Sequence, residues 1–64
     1  MQELVGKRVT VEFAMPASAW PIPGYPAFAT VLAVDMPMVK LTNAHFRNDF
    51  WINVACIKVI RAQP

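Results

Sequence analysis

Three sets of side chains in this chain of 64 residues are chemically able to do something. Asp35, His45, Asp49 and Cys56 are acid, base and nucleophile types. No nucleophile among them has a base at usable spacing, and they match no recognised catalytic constellation. One His and one Cys beside scattered carboxylates fall short of a metal site, and a Cys-x-x-Cys pair is absent. The expectation is a protein that is not an enzyme, with no cofactor and no metal. The second set is Lys40, His45, Arg47, Asn53 and Lys58, with Trp51 or Phe46 as stacking groups. Cations attract phosphates and aromatic faces hold bases of any kind, so this set reads as a surface for single-stranded RNA. Its plainer reading is a solvated loop histidine and a surface pair of Arg47 with Asp49, worth under ~1 kcal/mol. The third set is Trp20 and Tyr25, held among Pro16, Pro21, Pro23 and Pro26. It reads either as a lid that closes one end of a core or as a platform for a protein partner.

The elements that position these sets must come from one domain, residues 1–64. A chain this short buries only about 60% of its unfolded surface, so a core on its own is marginal. Yet 56% of the residues are hydrophobic and 16% are charged. Average chains run at about 45–50% and about 25%. The apolar surplus belongs in a subunit interface, because left bare it would aggregate, and a homo-oligomer is expected. The net charge of +2 leans basic but is too small to name nucleic acid as the partner. Cys56 is the one cysteine and forms no disulfide within the chain, which fits a reducing compartment. The segment MQELVGKR lacks the apolar stretch of a signal peptide, and no apolar run reaches the ~18 residues of a membrane span. These features together lead to the expectation of a cytoplasmic protein.

Hydrophobic periodicity reads as strands throughout. Gly6 opens a strand over 7–13, in which Val9, Val11 and Phe13 share one face while Arg8, Thr10 and Glu12 share the other. Residues 14–26 form a proline-rich loop, since proline cannot donate to a sheet ladder. The second strand, 27–35, is apolar on both faces, which calls for a packed neighbour. A turn at Asp35-Met36-Pro37 leads to a third strand over 38–43. A polar connection over 44–49 precedes a fourth strand over 50–55. Ile57 and Ile60 lie on opposite faces of a flat strand, so both point inward only if the chain bends or makes a 3₁₀ turn near 56–58. A fifth strand over 58–62 completes the set. The expected core includes Val9, Val11, Leu32, Val34, Ile52, Ile57 and Ile60.

These strands resemble the Sm-like family, the small five-stranded barrels of the Sm, LSm and Hfq proteins. The first Sm motif is similar to Gly6-Lys7-Arg8-Val9-Thr10-Val11, Ala29 to Asp35, and Met38 to Ala44. The second is similar to Ile52-Asn53-Val54-Ala55-Cys56-Ile57-Lys58-Val59-Ile60, with all three isoleucines at matching spacing. SH3-like barrels share much of this pattern and are the broader alternative. The resemblance implies an all-β, five-stranded antiparallel barrel with a long Pro-rich loop between its first two strands. It also implies a ring of subunits, the fourth strand of one pairing with the fifth of the next. The family's base-holding asparagine falls on Met38 or Val39, its Arg-Gly pair is Asn53-Val54, and its strand glycine is Ala29. Any RNA binding is therefore expected to be weak and tolerant of sequence, with a structural or protein-interaction module built on Trp20 and Tyr25 as the alternative.

Overall fold

Alternation in the first strand places its apolar residues against the core, and the computed structural model, described for residues 1–43 and 48–63, is built outward from it. Five antiparallel strands form one sheet: β1 (Arg8–Phe13), β2 (Ala27–Asp35), β3 (Met38–Asn43), β4 (Asn48–Asn53) and β5 (Ile57–Ala62). Their order is β4-β3-β2-β1-β5, so the first strand lies between the second and the last. Short 3₁₀ turns at Gln2–Leu4, Ala17–Ala19 and Val54–Cys56 complete the elements. The sequence places β2 and β3 at these same limits. It starts β4 two residues late, and it ends β4 late and starts β5 one residue late because the turn at Val54–Cys56 falls earlier than the spacing of Ile57 and Ile60 implies.

Val9, Val11 and Phe13 of β1 are buried together with Ala27, Ala29 and Val31 of β2 and Val39 and Leu41 of β3. Ile52, Ile57 and Ile60 are half-buried against this cluster, as are Val34 and Phe50. Leu32 does not join them. It is 41% exposed, because alternation along β2 puts it on the outward face with Phe28, opposite Ala27, Ala29 and Val31. Val31 faces Leu41 and Val34 faces Val39, so β2 carries one extra residue between Val31 and Ala33 relative to β3. A one-residue slip reverses the facing of the residues beyond it, so Val34 packs against the core although Leu32, two positions before it, turns out.

A second slip resolves the isoleucine spacing. Glu12 faces Val59 while Phe13 faces Ile57, so Lys58 is the extra residue on β5. Pushing Lys58 out of register lets Ile57 and Ile60 share the core side. The 3₁₀ turn before it is held at both ends by backbone hydrogen bonds. Ala14 N–H donates to the Cys56 carbonyl at 2.7 Å, and Val54 N–H donates to the Pro37 carbonyl at 2.9 Å.

The connection between β1 and β2 is anchored to the core by Ile22, which is only 1% exposed between Pro21 and Pro23. Met1 and Leu4 also pack against the core from the first 3₁₀ turn. There the terminal ammonium and Glu3 pair at 2.7 Å, and that hydrogen bond holds the Glu3 carboxyl below its ordinary pKa. Asn43 is the one buried polar residue among those described, and its amide donates to the Phe28 carbonyl at 2.8 Å. Among the described residues no helix is long and apolar enough to cross a membrane.

Candidate functional site

The end of β1, the connection after it and the start of β5 surround a cleft of about 370 Å³. Its lining combines Phe13, Met15, Trp20 and Tyr25 with the two charged residues Glu12 and Lys58. A cleft of this size falls within the usual range for small-ligand and peptide subsites, roughly 300–1,000 Å³. Trp20 is fixed from three directions. Its indole N–H donates to the Met15 carbonyl at 2.8 Å, and its ring meets Phe13 edge-on at a centroid distance of 5.2 Å. Tyr25 stacks on it at 5.3 Å with an interplanar angle of 19°. Aromatic pairs in these geometries add about 0.5–1.5 kcal/mol beyond their buried area.

The two aromatics divide the roles foreseen for the loop. Trp20 is half-buried against the core and closes it. Tyr25 is 74% exposed, so it presents a ring to solvent from a fixed base. Proline on either side of this pair restricts the backbone.

The described members of the cationic set, Lys40, Asn53 and Lys58, stand on different strands. Lys58 lines the cleft. Lys40 is half-buried on β3, directly opposite Trp51 of β4, which is 48% exposed. Asn53 ends β4 and uses its side-chain oxygen to accept the Ala55 N–H at 2.9 Å, capping the turn at Val54–Cys56. His45, Phe46 and Arg47 lie outside the described residues. Asp35 is exposed at the end of β2, and the Asp49 carboxylate accepts a hydrogen bond from the Thr42 hydroxyl across the β3–β4 pair.

Glu12, Phe13 and Met15 are site residues that sequence reasoning does not single out. Alternation marks Phe13 as core and Glu12 as a polar-face residue, and both are correct for the strand. Both line the cleft beside the register slip between Glu12 and Phe13, which the sequence signals only through the spacing of Ile57 and Ile60. Among the described residues no three His, Cys, Asp or Glu side chains come close enough to share a metal ion. Comparison with protein-family models, with curated proteins and with solved structures finds no match for this chain. Its function is therefore read from its own geometry.

Proposed function

We propose that this chain is a small self-associating β-barrel, Sm-like or more broadly SH3-like, that acts as a protein-interaction module through the Trp20–Tyr25 cleft. The observation that carries this reading is the stacked pair itself, with Trp20 braced by Phe13 and Met15 and Tyr25 left open to a partner. Aromatic rings held by a stiff backbone at the edge of a cleft are what extended peptide segments dock against. Replicating the cleft around an oligomer would add avidity without any new contact.

Barrel closure is supported by chain length. The link from Asn53 to Ile57 spans at most about 15 Å, whereas the outer strands of a flat five-stranded sheet stand about 19 Å apart. A curled sheet lets β5 follow β4 within that reach. Self-association is supported by the two outer strands, since β4 pairs with β3 and β5 with β1, leaving one ladder edge on each among the described residues. Unpaired edges template pairing with another chain. A head-to-tail β4–β5 contact between copies would close into a ring of roughly five to seven subunits. Phe28, at 56% exposed, and Leu32 add outward apolar surface that such an assembly would cover. Light scattering on the purified chain is expected to report a closed oligomer, and Tyr25→Ala is expected to abolish capture of extended peptides while leaving the melting temperature near that of the parent. A monomer at micromolar concentration would remove the ring, and undiminished peptide capture by Tyr25→Ala would remove the cleft.

A second reading, weak single-stranded RNA binding, is favoured by the pairing of Lys40 with the exposed Trp51 on the β3–β4 surface. A base stacking on Trp51 would bring its phosphate toward Lys40, with a log-affinity slope against salt of ~0.7 per neutralised phosphate. Oligo-U and oligo-A are then expected to bind within a few-fold of each other, and Lys40→Ala to weaken both alike. Uridine-selective binding at physiological salt would overturn sequence tolerance, and no binding at low salt would remove the reading.

A further inference from the structure

The charges that line the cleft narrow the chemistry of its occupant. Glu12 and Lys58 both face it, yet among the described residues they form no ion pair with each other or with another side chain. Glu12 is half-buried at the end of β1, and Lys58 is exposed at the register slip on β5. Their difference in burial matters. The half-buried carboxylate stands beside apolar side chains and is less screened by water, so it gains more from an incoming partner. The exposed ammonium sits on a flexible stem and keeps much of its hydration. Resting on the reading of the cleft as a peptide site, we infer that it selects an extended segment anchored by an arginine, with an acidic residue beside that arginine.

Arginine suits both surfaces at once. Its planar guanidinium stacks on an aromatic face, and the outer face of Tyr25 is open because Trp20 occupies only the inner one. The same fork donates two parallel hydrogen bonds to a carboxylate, which a lysine ammonium cannot do in one plane. The aliphatic stem of the arginine would lie along Met15, which is half-buried at the cleft. Lys58 opposes a second cation and favours an acidic neighbour, so the ligand carries its two charges in complementary order. Register slips commonly re-aim a side chain next to a binding site, and the displacement of Lys58 fits that pattern.

The test uses short peptide libraries, degenerate except for a central residue fixed as arginine, lysine, citrulline or glutamate and a neighbour fixed as glutamate or glutamine. Citrulline keeps the planar shape and removes the charge, so the comparison needs no change to the protein. Binding is measured by fluorescence anisotropy with the parent chain and with Glu12→Gln, Lys58→Gln and Tyr25→Ala, each checked for an unchanged thermal melt. Arginine is expected to exceed citrulline by about tenfold, the effect of one charge-assisted contact. Glu12→Gln should erase that preference, and Lys58→Gln should erase the preference for a neighbouring acid. Equal binding of arginine and citrulline, or a preference untouched by Glu12→Gln, would overturn the inference. If Tyr25→Ala still lowered binding in that case, the cleft itself would stand. Binding by none of the libraries would overturn both.

Discussion

Val11→Asp is expected to leave the chain unfolded. Val11 is fully buried at the middle of β1, facing Ala27 of β2 on one side and Ile60 of β5 on the other. A carboxylate there would have neither water nor a partner, and the effective penalty for burying such a charge is several kcal/mol. A domain of this length is stable by about 3–10 kcal/mol in total, so the penalty consumes most or all of the margin. Circular dichroism should show loss of the strand signal, with no cooperative melt. The neighbouring change Thr10→Asp faces the other side of the strand and is expected to fold, which separates the effect of position from that of charge. A soluble Val11→Asp chain that melts cooperatively would overturn the placement of β1.

Ile22→Ala should produce the largest loss outside the strands, about 2–5 kcal/mol. A leucine- or isoleucine-sized side chain removed from a packed site leaves a cavity as well as a lost transfer energy. Ile22 is as buried as the strand residues although it stands in the connection between β1 and β2. Its loss would free the connection from the core and, with it, the base on which Trp20 and Tyr25 are stacked. Urea unfolding should place Ile22→Ala well below the parent, with Tyr25→Ala close to it. An Ile22→Ala chain within about 0.5 kcal/mol of the parent, the range of ordinary surface changes, would mean that the connection is not held by this contact. Because the proposed peptide site is built on the same connection, the variant should also lose any peptide binding of the parent under conditions where it remains folded.

Both variants test features that differ in how visible they are from the residues alone. Period-two alternation in Arg8–Phe13 and in Met38–Asn43 marks which side chains face inward, and the structure buries Val9, Val11, Phe13, Val39 and Leu41 accordingly. Leu32 is the exception. β2 is apolar on both faces, so alternation cannot say which face turns inward, and a constant period cannot register the slip between Val31 and Ala33 that separates Val34 from Leu32. Ile22 escapes notice for a different reason. A single isoleucine between prolines has no periodic neighbours, so nothing local indicates that it faces a core built from distant strands.

The candidate site is legible in part. Trp20 and Tyr25 stand out because prolines around aromatics restrict the backbone whatever the fold. Lys58 reads from its charge as a nucleic-acid contact, and the fold sets it at the aromatic cleft with Glu12. Asn53 reads as a base contact, and in the fold its oxygen also caps the turn that joins β4 to β5.

The sequence by itself determined the class of structure. Short-range alternation and the placement of proline depend only on neighbouring residues, and they set five strands, the inward faces of the first and third, and the position of the long connection. Tertiary structure decided the strand order, the two register slips and the cleft. These depend on which strands pair and by how many residues they are offset, and pairing energy accumulates over residues far apart in the chain. Glu12 and Lys58 are 46 positions apart by their numbering, and only the β1–β5 ladder brings them to one cleft.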